Sequence, residues 1–334
     1  MKYGISLGYS SKLDKLETIK GISEIKKKLK TKLIEKNLLL EINPAIVTNK
    51  SLWLNDDFQG TQRAIDFDIL EQSFYGELLQ SNNKYRRYLL MKNDLKNVGD
   101  GFISDFSCVK RDVKTSNTIS NVYDEIGFEI VVNNYDSSNL NEFVVGLYSQ
   151  ILMISDEIKE LYPKLQRVQL SNELTFISFT KLKSLYPFLS FRERLNRFGR
   201  ENGSFALTNF VKKLFNSKEL NNFSEDVFDF NSYIKLYAYN SITETSISIA
   251  YIGYSVDREI LQEQNRLLKE NFKTKTGFNH LVTTEKLPLT LTGGIFLSKL
   301  TMLILEKNHI AEVQSSIWPK EFEIFCQKNN INIF

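Results

Sequence analysis

The apolar positions of this chain alternate between two periods, and each change of period marks a change of element. Between Ile19 and Lys36 the residues Ile25, Leu29, Leu33 and Ile34 recur at helical intervals among lysines, which predicts an amphipathic helix. The extended run LLLEINPAIV, Leu38 to Val47, follows, and Pro44 within it suits an edge or interface strand because proline cannot donate to a ladder. Asn49 to Phe58 reads as loop. Ala64 to Ile69, AIDFDI, then alternates, with Ile65, Phe67 and Ile69 on one face and Asp66 and Asp68 on the other. Tyr85 to Lys92 gathers aromatic and basic residues as YRRYLLMK, Asn97 to Asp105 reads as a mobile glycine-containing stretch, and Asn121 to Val132 alternates toward a strand.

Helical spacing returns with Phe143, Leu147, Ile151 and Ile158, predicting a helix over Leu140 to Leu161. Leu174 to Ser178 reads as a short strand, Phe188 to Arg200 as a helix with a basic face, and Asn202-Gly203 as a turn. Arg192, Arg194, Arg197 and Arg200 on that face can meet either solvent or anionic groups. Ser232 to Val256 contains the strand-like runs IKLYAY and SISIAYIGYSV, and Asp257 to Glu270 is a charged helix. Finally Leu289 to Thr292 feeds Gly293-Gly294, and Ile295 to Glu306 resumes as an apolar helix carrying Ser298 and Lys299. Paired glycines permit either tight packing or close approach of a ligand. A helix start beside them is able to receive an anion on its free N–H groups.

Composition narrows the function classes. With 334 residues and 42% hydrophobic side chains the chain can bury a core sufficient for one large domain or two closely packed lobes. A net charge of +3 is too close to neutral to imply DNA or another nucleic acid as partner. The basic run Lys26-Lys27-Lys28-Leu29-Lys30 fits the water-facing side of the first helix better than an RNA or membrane footprint. No apolar stretch reaches the roughly 18 residues of a spanning helix and no signal core is evident, so a soluble, cytoplasmic protein without membrane partners is expected. Cys108 and Cys326 read as free thiols, and His309, after an apolar run, as a packed or capping histidine. Neither GxxxxGK[ST] nor GxGxxG occurs, which argues against a P-loop or a doubly wound dinucleotide fold.

LTLTGGI, SKLTMLILEKNHI and VQSSIWP near the C-terminus resemble the closing motif of the asparagine synthetase A, or aspartate–ammonia ligase, family, relatives of class II aminoacyl-tRNA synthetases. Echoes of that family continue through NDDFQG, SNNKYRR, GDGF, VYDEIGFE, LYP and IGYSVD. The resemblance implies an α+β fold with a largely antiparallel sheet flanked by helices. It covers 1–334 as a single synthetase-like domain with a helical insertion near 139–225, and implies a homodimer formed through the first helix and the Pro44 strand. It also implies ATP and Mg2+ as cofactors. An amino-acid carboxylate would be activated as an acyl-adenylate and then passed to ammonia, with no role for tRNA.

Residue by residue, the resemblance makes Asp56 the substrate-contacting acid and Lys84 a partner for the substrate carboxylate. Lys110 matches a motif arginine, with Arg111 adjacent. Glu125 and Gly127 stand where the family has glutamine and aspartate around the amino acid, Ser248 where it has a metal-associated glutamate, and Lys299 where it has an arginine beside Gly293 and Gly294. Lysine keeps the charge but loses the planar fork of arginine, and serine supplies no anionic metal ligand, so the identity of any metal ligand stays open. Two readings follow: a ligase with an altered amino-acid pocket, or an inactive synthetase-like binding or scaffold protein.

Overall fold

The computed structural model describes residues 3–56, 58, 62–211, 224–268 and 277–334. Their strands are β1 (Leu40–Glu41), β2 (Val47–Asn49), β3 (Ile65–Asp68), β4 (Tyr75–Leu78), β5 (Gly101–Val109), β6 (Val122–Val131), β7 (Thr175–Ser178), β8 (Ser204–Thr208), β9 (Ile234–Asn240), β10 (Thr245–Tyr254) and β11 (Thr290–Phe296). Eight of them form one sheet in the order β1-β5-β6-β11-β10-β9-β8-β7, antiparallel except at its two edges, where β1 runs parallel to β5 and β7 to β8. A second, three-stranded sheet has the order β2-β4-β3. The expected α+β architecture is the one present.

The period of two along the central strands sorts the sheet into an oily face and a polar one. Ile126, Phe128 and Ile130 of β6, Ile295 of β11, Ile252 of β10 and Leu236 of β9 join one hydrophobic core. That core is closed by Ile25, Leu29 and Leu33 of helix Lys15–Asn37 and by Val144, Leu147 and Ile151 of helix Ser137–Leu161. The intervening residues Glu125, Gly127, Glu129, Thr292, Gly294, Tyr251 and Lys235 face the other way. Helix Asn83–Lys92 packs on this polar side, as do Phe198 and Leu182 of helices Phe191–Asn202 and Phe179–Leu185 through an aromatic cluster with Tyr237, Tyr251 and Phe296.

The helix Lys15–Asn37 is fixed at its start by a reciprocal capping box between Asp14 and Glu17. Four of its eight lysines are paired within the protein: Lys26 with Asp105, Lys28 and Lys32 with Glu157, and Lys30 with Glu41. These pairs tie this helix to the helix Ser137–Leu161 and to β1 and β5 of the sheet, while Lys27 of the same run is exposed. His309 is both packed and capping, as expected: its Nδ1 accepts the Ala311 N–H at 3.1 Å, its ring lies against Trp318 and Phe322, and burial lowers its pKa to about 4. Cys108 and Cys326 are buried free thiols.

Three local expectations need correction. The stretch Asn97 to Asp105 enters β5, a nine-residue strand bonded on both sides, because Gly101 lets Leu39 and the Glu129 carbonyl approach where a Cβ would stand. The strand β11 runs on through Phe296, so the helix begins at Leu297 rather than Ile295. The segment 139–225 is not all helix, since β7 and β8 complete the sheet edge from within it.

Candidate active site

A single register row across the polar face supplies the floor of the site. Ser104 of β5 pairs with Gly127 of β6, Gly127 with Gly294 of β11, Gly294 with Tyr251 of β10, and Tyr251 with Lys235 of β9. The two glycines leave a trough in the middle of the row, and the protein fills it with its own side chains. The Arg86 guanidinium, from helix Asn83–Lys92, occupies the space a Cβ at Gly127 would take. A Cβ at Gly294 would lie 2.8 Å from Glu125 Oε2 and 2.9 Å from the Tyr251 hydroxyl.

These groups form one buried network. Arg86 Nη1 donates to Ser104 Oγ at 3.2 Å and reaches Glu125 Oε1 at 3.4 Å, while Nε lies 4.0 Å from Glu129. Tyr251 donates its hydroxyl to Glu125 Oε2 at 2.6 Å, and Tyr123 donates to the same oxygen. The Arg86 side chain has no exposed surface, and each glutamate retains about 1%. Such an arrangement is held by mutual compensation, since any one of these charges alone would be costly so deep.

Above this floor opens a cavity of about 250 Å3. Lys110, Lys235 and Lys299 all line it, together with Phe58, Tyr123, Phe228, Tyr233, Tyr251 and Phe296. Lys110 Nζ sits 4.2 Å from the centroids of both Phe58 and Tyr123, and Phe296 has Lys299 Nζ at 4.8 Å and Lys235 Nζ at 5.8 Å from its centroid. The Tyr123 and Phe296 rings meet edge to face at 5.8 Å, so the three ammonium groups surround one aromatic pair. Among the described residues none of the three has a carboxylate within ion-pair distance. Burial, together with repulsion from Lys235, Lys110 and Arg192, lowers Lys299 to about 7; burial and Lys110 lower Lys235 to about 8, and burial lowers Lys110. Mutually repelling lysines held over aromatic rings prepare a place for anionic charge.

The residues anticipated from sequence divide between this cavity and its supports. Asp56, Lys110 and Lys299 line it. Asp56 is buried, accepts the Phe58 N–H at 3.0 Å and the Ser224 hydroxyl, and has its pKa raised by burial against the opposing pull of Lys84. Lys84 stays behind the wall, bonded to Asp226 at 2.6 Å and to the Asn55 carbonyl at 3.3 Å, where it props the Asp56 loop. Arg111 is exposed and donates to the Ala64 carbonyl at 3.2 Å. Glu125 belongs to the floor network. Ser248 lies on the polar face opposite Tyr237, outside the cavity lining. Asp57 lies outside the described residues.

The glycine pair is a packing device. Gly293 faces the oily side under Phe128, and Gly294 lies beneath Tyr251 and Glu125. At the start of the helix after it, Asp124 already accepts the Ser298 N–H at 3.1 Å and the Ser298 hydroxyl. An internal carboxylate thus occupies the place where an external anion was envisaged.

Sequence reading overlooked Lys235, Arg86 and Asp124. Lys235 had a visible signal, a charge at the second position of the apolar run IKLYAY, where the alternation puts it on the same face as Tyr237. Arg86 and Asp124 had none of comparable strength, since their partners lie 39 and 174 residues away.

Among the described residues no group of three or more His, Cys, Asp or Glu side chains is disposed to hold a metal ion. The cavity carboxylates, Asp56 and Asp124, are each engaged by hydrogen bonds within the protein. The donor set does not fit a protein-held Mg2+.

Compared with known proteins, residues 16–330 match the family model described as aspartate-ammonia ligase. The chain is 28% identical over 335 aligned positions to the aspartate–ammonia ligase of Clostridium perfringens, covering 99% of both chains, and 27% identical over 328 positions to that of Bacillus thuringiensis, covering 98% of this chain and all of the relative. Among solved structures it superposes on the asparaginyl-tRNA synthetase of Pyrococcus horikoshii complexed with asparaginyl-adenylate with a TM-score of 0.67 at 11% identity, covering 91% of this chain and 70% of that one. The asparaginyl-tRNA synthetase of Entamoeba histolytica gives 0.65 at 12% identity, with 90% of this chain covered and 66% of the synthetase. At such identity the likeness concerns the fold.

Proposed function

The chain belongs to the aspartate–ammonia ligase family, and from that premise we propose that its lysine-ringed cavity binds ATP and adenylates a carboxylate. The observation that carries this reading is the convergence of Lys110, Lys235 and Lys299 on one aromatic-lined cavity without carboxylate partners among the described residues. The substrate carboxylate oxygen attacks the α-phosphorus, the bond to the β-phosphate bridging oxygen breaks, and pyrophosphate leaves. An amine then attacks the acyl carbonyl, loses a proton and expels AMP. Negative charge accumulates on the departing pyrophosphate, and preorganised ammonium groups in a partly dehydrated cavity stabilise it more than water does. Phe58, Tyr123 and Phe296 offer faces for the adenine ring. No step is assigned to a protein-bound metal.

A second reading, nucleotide binding without transfer, is favoured by one observation. Glu125, offered by resemblance as a substrate contact, is closed off by Arg86, Tyr123 and Tyr251, and Gly127 is covered by the same guanidinium. Pyrophosphate release with a carboxylate panel separates transfer from mere binding.

Calorimetric titration with ATP tests the common premise. Binding is expected with or without Mg2+, and its pH dependence follows from the lysines. Phosphate raises the pKa of any ammonium it contacts, so binding takes up protons wherever the free lysine is deprotonated. Affinity should be greatest below pH 7 and decline as pH rises through about 7 and then about 8, where Lys299 and Lys235 lose their protons. The limiting slope is about tenfold per pH unit for each lysine. No detectable heat at millimolar ATP, or an affinity flat from pH 6 to 9, would sink the reading.

We also assign the protein a homodimeric state and a cytoplasmic location. Leu16 and Ile19 of the first helix and Leu38 and Leu40 at the β1 edge are exposed, and among the described residues β1 has an unpaired side on which a second copy can add. Leu40→Asp is expected to convert a dimer to a monomer by light scattering; unchanged mass would remove this interface. No helix among the described residues is long and apolar enough to cross a membrane.

A further inference from the structure

A magnesium ion on a nucleotide is held by oxygen, from the phosphates on one side and from protein carboxylates or water on the other. The cavity provides anionic oxygen unevenly. At its Lys110 end burial depresses the ammonium, and Cys108, Asp56 and Glu125 oppose the fall. The other end is cationic. Lys235 and Lys299 stand over the one Phe296 ring, 5.8 and 4.8 Å from its centroid, and Arg192, exposed in the first turn of helix Phe191–Asn202, repels Lys299 from outside. Among the described residues neither lysine has a carboxylate within ion-pair distance. Asp124 attracts Lys299, but both its oxygens are taken by the Ser298 N–H and hydroxyl. Ser248, matched by resemblance to a metal-associated glutamate, carries no charge and lies outside the cavity lining.

Phosphate charge is met either by a divalent ion or by fixed ammonium and guanidinium groups. Here the fixed groups are built in. Lys235 belongs to β9, in register with Tyr251 of β10, and Lys299 to helix Leu297–Ile304, so regular elements rather than loops hold both. An ammonium is a compact point charge with three donors, which suits oxygens approaching from several directions. Such groups and Mg2+ compete for the same phosphate oxygens. A nucleotide arriving with Mg2+ has part of its charge already neutralised, and it brings a dication to an end of the cavity that offers no free carboxylate among the described residues. A metal-free nucleotide keeps its whole charge for the lysines.

Resting on the ATP reading above, we propose that Lys235 and Lys299 take the place of the divalent ion: the protein binds ATP as its metal-free anion, and Mg2+ competes with the protein for the nucleotide. The ligand class is a free nucleoside triphosphate rather than its magnesium complex.

Calorimetry with ATP at fixed pH and ionic strength, once with excess EDTA and once with Mg2+ in excess over nucleotide, reads the difference directly. Metal-free ATP is expected to bind at least tenfold more tightly, and Mg2+ added to the preformed complex is expected to release the nucleotide. Lys235→Ala, which relieves the repulsion between Lys235 and Lys299, is expected to lose at least tenfold in affinity for metal-free ATP and most of the discrimination. Lys235→Asp removes the ammonium and supplies an oxygen anion at the same place. It is expected to reverse the order, with ATP bound more tightly when Mg2+ is present. An affinity unchanged or improved by Mg2+ in the unaltered protein overturns the inference and leaves the ATP reading standing. Discrimination undiminished in either variant overturns it as well, because Lys235 is then not the metal's substitute. No heat from ATP in either condition identifies the nucleotide reading as the one at fault, and this inference falls with it.

Discussion

Lys299→Met is expected to raise the thermal midpoint of the unliganded protein while weakening ATP binding by roughly 10- to 100-fold, the loss typical of a charge-assisted contact. The two effects have one origin. Lys299 is buried among Lys235, Lys110 and Arg192, so its pKa of about 7 lies far below its ordinary value. In the unfolded chain it is protonated up to about pH 10, and in the folded protein only up to about 7. Below pH 7 both states hold the proton and the native state bears the full cost of an unpaired, repelled ammonium. As pH rises from 7 toward 10 the unfolded state alone retains the proton, and the cost fades. Allowing for the partial exposure of the side chain, the penalty near neutrality is on the order of 2 kcal/mol. Methionine keeps the volume and discards the charge, so a gain of about 3 °C is anticipated for a chain of this length. Scanning calorimetry at pH 6 and pH 9.5 provides the check, with the larger gain at pH 6. A lowered midpoint, or a gain independent of pH, would mean that Lys299 does not share its surroundings with the other two lysines.

The fold was legible because its informative features are local. Periodicity located the helices Lys15–Asn37 and Ser137–Leu161, and alternation located β6 and β10, since one face of each strand is uniformly oily. Where glycine replaced an apolar side chain, the same rule failed: the segment leading into β5 was read as mobile, although at Gly101 the Glu129 carbonyl lies where a Cβ would stand. The site was legible only in part. Lys299 and Lys110 were reached through motifs, but whether a motif residue faces a cavity or braces a wall depends on distant partners. Lys84 illustrates this, because Asp226, 142 residues away, turns it inward. Gly294 illustrates it from the other side: a residue without a side chain says nothing of what covers it, and here Tyr251 and Glu125 do. Lys235 was the one missed cavity residue with a readable sign, a charge on the inner face of an apolar strand.

Arg86→Met should be among the most damaging single substitutions in this molecule. The guanidinium faces Glu125 and Glu129, and all three side chains are essentially sealed from solvent. Removing the cation leaves two buried carboxylates without their nearest positive charge, served by the Tyr123 and Tyr251 hydroxyls on Glu125 and the Thr290 hydroxyl on Glu129. Breaking a buried pair in this way costs about 3–5 kcal/mol, well above the usual effect of a point change. The accompanying pH dependence identifies the cause. Burial already raises the pKa of Glu129, and Arg86 is the main influence opposing that rise, so the variant's glutamate titrates still higher. A carboxyl with a raised native pKa binds its proton in the folded state before the unfolded one does, so it destabilises progressively as pH climbs through that range. Urea unfolding should therefore find a deficit that is largest near pH 8 and smaller near pH 5. Pairing the substitution with Glu125→Gln should restore part of the loss, because the second change removes a charge the first left stranded. If the two losses simply add, or the deficit is the same at both pH values, the network is held by shape rather than by charge. In that case Gly127 owes its missing side chain to the bulk of the Arg86 guanidinium alone.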